Sequence, residues 1–370
     1  MNRPIKVILV AGARPNFMKI APLMRCISER NATAVNGDPR IEPLLVHTGQ
    51  HYDDKMSGIF FEELRIPPPD INLEVGSGSH AQQTAQIMMK FETVCLENKP
   101  DWVVVVGDVN STMACTLVCS KLGVKVAHVE AGLRSFDREM PEELNRLVTD
   151  ALADLLLTPS EDADVNLEKE GVPSSRIKLV GNVMIDTLVD NLERAKPSEL
   201  LGSLGLKKNG FAFVTLHRPG NVDAEETLRP IIEELARLAG MMPVVFPIHP
   251  RTQKMCDTFG ISLSEIEGLH LLPPVGYHDS LFLTENARLV LTDSGGLQEE
   301  STYFVTPCLT LRPNTERPIT ITVGSNKLTD LNQLRADIDD VLSTSEERGK
   351  VPPLWDGKAA ERIVDALCEC

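Results

Sequence analysis

Short apolar runs alternate with amphipathic stretches along the whole chain. The runs are rich in β-branched residues and apolar at consecutive positions, which is typical of strands buried on both faces of a parallel sheet. They fall into two series. We predict a first series of strands at Lys6–Val10, Leu44–His47, Trp102–Val106, Lys125–Val129, Asp154–Thr158 and Ile177–Val180, and a second at Phe211–Leu216, Val244–Ile248, His270–Leu272, Arg288–Thr292 and Cys308–Leu311.

The stretches between the strands repeat apolar residues at helical spacing, so we predict helices at Ala81–Glu97, Ser111–Lys121, Glu142–Ala153, Glu225–Ala239 and Gly296–Phe304. Regular alternation of strand and helix predicts an α/β fold with doubly wound parallel sheets. Two series predict two Rossmann-like domains, residues 1–173 and 182–350, and then a segment 351–370 with a last helix at Lys358–Leu367. Proline and glycine mark the seam at 171–182, and we expect a surface loop at 196–209.

The chain is acidic, with 37 Lys and Arg against 53 Asp and Glu and a formal net charge of −16. No basic cluster interrupts that acidity, so neither nucleic acid nor an anionic membrane is an expected partner. No apolar run reaches the ~20 residues of a membrane helix, and the first strand is too short for a signal-peptide core, so we expect a cytoplasmic protein. The eight cysteines form no CxxC pair and no histidine pair has metal spacing, so we expect free thiols and no metal.

Ligands of parallel α/β sheets bind beyond the carboxyl ends of the strands, so the residues that follow each strand are the candidates for chemistry. After the first strand, Arg14 and Lys19 flank a predicted helix start and suit an anion, although a surface ion pair would also explain Arg14. Asp108 and Glu130 follow two consecutive strands and fit a paired acid/base site. The alternatives are a helix cap for Asp108 and an ion pair with Arg134 for Glu130.

Another candidate pair, Glu142 and Arg146, opens a helix, where acids in the first turn are also ordinary helix-start chemistry.

In the second domain, His217 follows a strand beside Arg218, and the pair would serve phosphate binding. The strongest signal is Leu291–Glu300, where a strand ends, the turn Ser294-Gly295-Gly296 follows and a helix begins. Backbone N–H groups at such a helix start cradle a diphosphate. Glu300 could then accept bonds from ribose hydroxyls, and Arg317 could neutralise phosphate. A buried, hydrogen-bonded core position is the expectation for the remaining histidines His47, His128, His249, His270 and His278.

Together these residues resemble the non-hydrolysing UDP-N-acetylglucosamine 2-epimerases, over nearly the whole chain. The resemblance is carried by Gly12-Ala13-Arg14-Pro15 with Lys19, Gly49-Gln50-His51, Gly107-Asp108, His128-Val129-Glu130-Ala131-Gly132-Leu133-Arg134, Pro141-Glu142-Glu143-Leu144-Asn145-Arg146, Gly181-Asn182, His217-Arg218, Asp293–Glu300 and Thr315-Glu316-Arg317-Pro318. It implies a glycosyltransferase-B-type fold with the active site in the interdomain cleft, a C-terminal helix that crosses back onto the first domain, and a homodimer.

The resemblance also implies a reaction, anti elimination of UDP to give 2-acetamidoglucal and re-addition on the other face, without a cofactor. It would interconvert UDP-N-acetylglucosamine and UDP-N-acetylmannosamine, for cell-envelope polysaccharide synthesis. The residues that would hold UDP are Arg14, His217, Ser294, Gly295, Gly296, Glu300 and Arg317. Those that would face the sugar and the leaving phosphate are Lys19, Asp108, Glu130 and Glu142, with Arg146 as a substrate ligand and His217 as a further catalytic candidate.

The chain departs from the family pattern in three places. Asn16 stands where Glu is common, and the segment Ser135–Met140 is shorter than in many members. Some relatives with this loop act on UDP-2,3-diacetamido-glucuronate, and Arg138 could pair with a uronate carboxylate. Family members can bind a second UDP-sugar as an activator, partly through polar residues after the Gln-His pair. Here Tyr52-Asp53-Asp54 follows His51, which leaves such activation open.

Other functions remain open from the residues alone: a glycosyltransferase of the same fold, a UDP-releasing epimerase and a non-catalytic sugar-nucleotide sensor.

Overall fold

A computed structural model describes residues 3–35, 38–49, 67–192, 199–344 and 349–369. The chain forms two compact units, residues 1–187 with 353–370, and residues 188–352. The division falls within the helix Val183–Leu192, beyond the seam expected at 171–182. The motif residues Gln50 and His51, the Tyr52-Asp53-Asp54 run and residues 196–198 of the expected surface loop lie outside the described ranges.

The first unit contains a seven-stranded, all-parallel sheet in the order β3-β2-β1-β4-β5-β6-β7. Its strands are β1 (Ile5–Ala11), β2 (Ile41–His47), β3 (Ile71–Asn72), β4 (Trp102–Val106), β5 (Lys125–Val129), β6 (Leu155–Thr158) and β7 (Ile177–Leu179). Its helices are α1 (Arg14–Thr33), α2 (His80–Asn98), α3 (Asn110–Leu122), α4 (Pro141–Leu152), α5 (Glu161–Lys169), most of α6 (Val183–Leu192), and the last helix of the chain, Ala359–Glu369, besides a 3-10 turn at Ser174–Arg176. The predicted α/β fold is confirmed, with β3 as an unpredicted edge strand.

The second unit contains a six-stranded parallel sheet in the order β10-β9-β8-β11-β12-β13. Its strands are β8 (Ala212–Thr215), β9 (Val244–Pro247), β10 (Leu269–Leu272), β11 (Leu289–Thr292), β12 (Cys308–Leu311) and β13 (Asn326–Thr329). Its helices are α7 (Glu199–Ser203), α8 (Pro219–Val222), α9 (Glu225–Ala239), α10 (Pro250–Thr258), α11 (Tyr277–Asn286), α12 (Gly295–Tyr303), α13 (Ile319–Thr322) and α14 (Leu334–Ser343), so the helix of the first unit at Ala359–Glu369 is α15. Part of the expected surface loop is therefore helix α7, and β13 was not predicted.

Strand register brings the candidate residues to one edge of each sheet. Val106 pairs with Val129, so the residues that follow β4 and β5 emerge side by side. Thr292 pairs with Thr215, which does the same for the residues that follow β11 and β8. Strands β4 and β11 are buried along their whole length, so each sheet lies inside the core of its unit. Within the described ranges, no helix has the length and apolarity needed to cross a membrane.

Candidate active site

Glu130 leaves β5 in a left-handed conformation, with φ of 72°, and its carboxylate forms an ion pair with Lys19 of α1. Both residues are buried, at 8 % exposure for Glu130 and 6 % for Lys19. Gly107 lies against the pair, because a Cβ there would be 2.9 Å from Lys19 Nζ, and its φ of +66° also favours glycine. The alternative considered from the sequence, an ion pair between Glu130 and Arg134, is wrong. Arg134 pairs with Asp150 and Glu170 instead.

Asp108 follows β4 and is held by Arg146 of α4. Arg146 donates from Nε and Nη2 to Asp108 Oδ2, at 3.1 and 2.6 Å. Its Nη1 donates to Glu143 Oε2 at 2.5 Å, and that carboxylate also accepts from the backbone N–H groups of Ser135 and Phe136. Burial alone would raise the pKa of Glu143, but these N–H groups and Arg146 hold it below its usual range.

Asp108 is therefore not a helix cap, since the residue at the N-cap of α3 is Val109. Its side chain is 31 % exposed, so one edge of the carboxylate is open while Arg146 fixes the other. The arrangement suits a carboxylate that must meet a ligand in a defined orientation.

Asn16 closes the turn between β1 and α1. Its Oδ1 accepts from the backbone N–H groups of Gly12 and Ala13 at 3.0 and 2.8 Å, and its Nδ2 donates to Val106 O at 3.1 Å. Asn16 thus ties the first turn to the end of β4, one residue before Gly107. A residue noted only as a departure from the family pattern has a structural role here.

A buried ionic cluster lies beneath the two carboxylates. His128 of β5 contacts Asp150 Oδ1 through Nδ1 at 2.6 Å and Gly107 O through Nε2 at 2.8 Å. Asp150 Oδ2 accepts from Gly132 N at 3.0 Å and pairs with Arg134. Burial favours a raised pKa for Asp150, but His128 and Arg134 hold it below its usual range. The cluster joins the turns that carry Asp108 and Glu130.

In the second unit, α12 begins at Gly295 after the N-cap residue Ser294, whose side chain makes no capping bond. The first N–H groups of the helix are thus available to a ligand. Arg317 lies beside this helix start, since a Cβ on Gly295 would be 3.3 Å from Arg317 Nη1. Its guanidinium pairs with Glu299 at 2.7 Å and with Glu316. A guanidinium, held by these two carboxylates, and the first backbone N–H groups of the helix meet at one point, where both could donate to a diphosphate.

His217 and Arg218 follow β8 and are fixed by the buried Asp293. The backbone N–H groups of His217 and Arg218 donate to Asp293 Oδ2 at 3.0 and 2.8 Å, and His217 Nδ1 lies 2.8 Å from Oδ1. Burial would raise the pKa of Asp293, but His217 and the two N–H groups lower it below its usual range. The His217 side chain remains 43 % exposed, so its other ring nitrogen can reach a ligand.

Glu300 lies one turn into α12 and is 8 % exposed. Burial, with a smaller contribution from Glu299, raises its pKa to about 8. At neutral pH the side chain is therefore protonated and can both donate and accept hydrogen bonds. That pattern fits a pair of sugar hydroxyls better than a cation.

The structure brings together most of the predicted residues within each unit. Lys19, Glu130 and Gly107 form one group, and Asp108 joins Arg146. Glu142 is exposed at the start of α4, and within the described residues it forms no ion pair. The side chain of Arg14, the first residue of α1, lies outside the described part of the structure.

Sequence reasoning missed the buried supports of these groups, Glu143, Asp150 and Glu299. The only sequence signal for such a supporting role was the position of each residue on a helix near a candidate residue.

Comparison with known proteins gives a consistent result. A family model described as UDP-N-acetylglucosamine 2-epimerase matches residues 33–368. The UDP-N-acetylglucosamine 2-epimerase of Methanocaldococcus jannaschii is 41 % identical over 98 % of this chain and 99 % of that protein. The UDP-2,3-diacetamido-2,3-dideoxy-D-glucuronate 2-epimerase of Pseudomonas aeruginosa is also 41 % identical, over 88 % of each chain.

Among solved structures, the UDP-GlcNAc 2-epimerase of M. jannaschii in complex with UDP-GlcNAc and UDP superposes with a TM-score of 0.85 at 40 % identity, covering 99 % of this chain and 100 % of that one. The two parallel sheets flanked by helices thus match the glycosyltransferase-B-like, two-domain architecture of these epimerases.

Proposed function

This chain belongs to the UDP-N-acetylglucosamine 2-epimerase family, and from that premise we propose that it interconverts UDP-N-acetylglucosamine and UDP-N-acetylmannosamine by inverting C2. Family membership makes it an isomerase that acts on UDP-sugars, which favours this activity over a glycosyltransferase. The observation that carries the proposal is the pair of carboxylates, Asp108 and Glu130, at adjacent strand ends, each held by a buried cation.

We assign the binding of UDP to the second unit. The first N–H groups of α12, with Arg317 beside them, would bind the diphosphate, and His217 would bind it through its exposed ring nitrogen. Protonated Glu300 would bind ribose hydroxyls. The same donors stabilise UDP as a leaving group, because negative charge develops on the β-phosphate oxygen when the C1–O bond breaks.

We assign the chemistry at C1 and C2 to the first unit. The C2 proton of a pyranose has no adjacent carbonyl to acidify it, so the C1–O bond must weaken as the proton leaves, with oxocarbenium-like charge at C1. A carboxylate accepts the proton, the C–H pair becomes the C1=C2 bond, and UDP departs with the C1–O pair. Re-addition of UDP to C1 and of a proton to the opposite face of C2 completes the inversion. Asp108, Glu130 and Glu142 share these base, acid and electrostatic roles.

Isotope exchange tests the proposal directly. Purified protein is incubated with UDP-N-acetylglucosamine in D2O, and C2 is followed by NMR. We expect deuterium at C2 in both epimers, with the sum of the UDP-sugars conserved. A denatured sample is the control. Absence of exchange would contradict the proposal, and steady release of free UDP would indicate the hydrolysing reaction instead.

A second candidate substrate is UDP-2,3-diacetamido-glucuronate. It is favoured by the P. aeruginosa relative and by Arg138, which is exposed in the turn before α4 and forms no ion pair within the described ranges. If the uronate is the substrate, deuterium enters C2 of that sugar and not of UDP-N-acetylglucosamine. Arg138→Met should then raise KM for the uronate about tenfold without changing the Kd for UDP.

We further propose a cytoplasmic homodimer whose product serves cell-envelope polysaccharide synthesis. The seven described cysteines are free thiols, as a reducing compartment maintains them. Light scattering of the purified protein at micromolar concentration measures the assembly. A mass near 81 kDa, twice the 40.7 kDa of one chain, is expected, and a mass of one chain would contradict the dimer.

A further inference from the structure

Helix α4 holds Asp108 at two points, of which the carboxylate is only one. Arg146 donates to Asp108 Oδ2, whereas Asn145, the residue before it on α4, donates from Nδ2 to the main-chain oxygen of Asp108 at 2.8 Å. Asp108 precedes Val109, the N-cap of α3, so its carbonyl lies outside the hydrogen-bond ladder of that helix. Asn145 is 5 % exposed. Its side chain thus supplies a buried donor to a carbonyl that α3 does not use.

The position of the Asn145 amide requires a nitrogen with two hydrogens. Its Nδ2 faces two oxygen atoms, Asp108 O at 2.8 Å and Asn110 Oδ1 at 3.4 Å. A side-chain amide nitrogen carries one hydrogen for each of them, whereas a carboxylate would place an acceptor opposite two acceptors and a hydroxyl has a single hydrogen. The contacts around position 145 therefore select asparagine over aspartate, serine or an apolar residue of the same size.

Asn110 is in turn fixed by side chains of α2. Its Nδ2 donates to Gln83 Oε1 at 2.9 Å, and its amide also lies 3.1 to 3.2 Å from His80 Nδ1. Gln83 Nε2 donates to Gly76 O at 3.2 Å. Asn110 and Gln83 are buried, at 5 % and 8 % exposure. The acceptor that Asn110 presents is therefore held in place, and a row of buried amides supports the Asn145 side chain.

Asn145 also connects Asp108 with Glu142, another of the three candidate acids. Asn145 and Arg146 lie three and four residues after Glu142 on α4, so the three share one side of this helix. Asp108 follows β4 and belongs to a different element. Bonds from two adjacent residues of α4, one to the main chain and one to the carboxylate, fix the place and the direction of Asp108 relative to Glu142. Proton transfer requires such spacing, because a displacement of about 1 Å can lower a rate about 100-fold.

We propose that Asn145 is a positioning residue for proton transfer at C2: its amide holds the main chain of Asp108 against α4 and so sets the spacing between Asp108 and Glu142. Arg146 alone would leave the turn free to rotate about the carboxylate, and the second bond removes that freedom. Asn145 acts through Asp108, so its loss should lower kcat and leave substrate binding nearly unchanged. The hydrogen bond between Asn145 and Asp108 is a feature of the structure, and its effect on turnover rests on the proposed function.

Asn145→Leu tests the proposal, because leucine keeps the size of the side chain and removes both hydrogens. We expect kcat for deuterium entry at C2 to fall about 10- to 100-fold, with KM and the Kd for UDP within about threefold of the wild-type values. Asn31→Leu is the matched control. Asn31 Nδ2 donates to Ile41 O at 2.7 Å at the opposite end of the same sheet, so its loss should lower stability and leave kcat unchanged. If Asn145→Leu does not fold, the smaller Asn145→Ser carries the test, with a fall in kcat of at least about fivefold expected.

Hydrogen exchange followed by mass spectrometry gives a second measurement that needs no substrate. Amide exchange in residues 107–111 should be faster in Asn145→Leu than in the wild type, and unchanged in Asn31→Leu. A kcat within about twofold of the wild-type value in Asn145→Leu, an equal loss of kcat in Asn31→Leu, or unchanged amide exchange at 107–111 would overturn the positioning role. A wild type that shows no exchange at C2, with amide exchange that still responds to Asn145→Leu, would support the hold on Asp108 and count against the proposed function.

Discussion

At the scale of single residues, His128 determines how the carboxylate turns are held. Both of its ring nitrogens lie within hydrogen-bond distance of acceptors, Asp150 Oδ1 at 2.6 Å and Gly107 O at 2.8 Å. A carbonyl oxygen only accepts, so Nε2 donates to Gly107 O, and Nδ1 is placed to donate to the Asp150 carboxylate. The hydrogen-bond geometry therefore predicts a ring with a donor at each nitrogen.

The charge state of His128 can be measured. With uniformly ¹⁵N-labelled protein at pH 7, we expect the two ring nitrogens of His128 to show the similar shifts of an imidazolium. A neutral-imidazole pattern, with one unprotonated nitrogen, would contradict the hydrogen-bond assignment. His270, which is half-buried in β10, provides an internal comparison in the same spectrum.

Replacing His128 should affect chemistry more than nucleotide binding. His128→Gln removes the imidazole contact to Asp150, which keeps Arg134, and it removes the Nε2 donor to Gly107 O, so the turn that carries Asp108 loses one of its supports. We expect kcat to fall on the order of 100-fold, with the Kd for UDP nearly constant. Unfolding by urea should show a loss of about 3 kcal/mol. A variant that loses stability but keeps its full kcat at low temperature would contradict a positioning role.

Glu300 makes stability depend on pH in a defined direction. Its pKa in the folded protein, about 8, lies above the usual 4.5 of a glutamate. The folded state therefore keeps a proton that the unfolded state has released, and stability falls as the pH rises from about 4.5 to about 8. In Glu300→Gln the part of this fall that is due to Glu300 should be absent, so stability should fall less between pH 5 and 9 in unfolding curves recorded without UDP. Glu267→Gln, at an exposed position, should retain it. Parallel curves for the wild type and Glu300→Gln would contradict the assignment.

Part of this site could be predicted from the sequence. Asp108, Glu130 and the Ser294–Gly296 turn were identified because residues that follow parallel strands meet at one edge. Their supports could not be identified, because in the pair Glu142 and Glu143 the phase of the helix decides which side chain is buried. Only packing shows that Glu143 holds Arg146 while Glu142 is exposed.

At the scale of elements, one carboxylate anchors the last helix to the first unit. Asp186 of α6 accepts from the first two N–H groups of α15, those of Ala359 and Ala360, at 3.1 and 2.7 Å. The residue is 3 % exposed, so these hydrogen bonds are shielded from solvent. The C-terminal helix thus packs with residues 1–187, in the unit that carries the carboxylates.

Removing that anchor should loosen α15. We expect Asp186→Ala to lower the free energy of unfolding by about 1–2 kcal/mol and to speed proteolytic cleavage near residue 358. Asp186→Asn keeps one acceptor, so its free energy of unfolding should lie between those of the wild type and Asp186→Ala. Asp365→Asn removes only the exposed pair with Arg30 and should cost less than about 0.5 kcal/mol. Equal effects of Asp186→Ala and Asp365→Asn would contradict the anchoring role.

The elements that sequence predicted and those it missed differ in burial. Central strands such as β4 were predicted because every residue is apolar and buried on both faces. The edge strand β13, Asn326–Thr329, contains Asn, Lys and Thr and has no apolar run. This segment forms a strand because it pairs with β12, and the local sequence pattern does not reveal that pairing. The same holds for β3, with two residues.

At the scale of the whole molecule, the proposed function divides its tasks between two compact units. One has the helix start, the arginine and the glutamate to which we assign UDP binding. The other has the two carboxylates, each paired with a buried cation, to which we assign the chemistry. Under the proposed function, loss of a reactive group should therefore leave nucleotide affinity intact, because the groups assigned to UDP binding lie in the other unit.

The rate of deuterium entry at C2 in Asp108→Asn, measured beside its Kd for UDP, tests this division most directly. Asparagine keeps the size of the side chain and a hydrogen bond to Arg146 but removes the charge. We expect exchange to fall at least about 100-fold while the Kd for UDP stays within about threefold of the wild-type value. Exchange at the wild-type rate, or a loss of exchange matched by an equal loss of UDP affinity, would contradict the account.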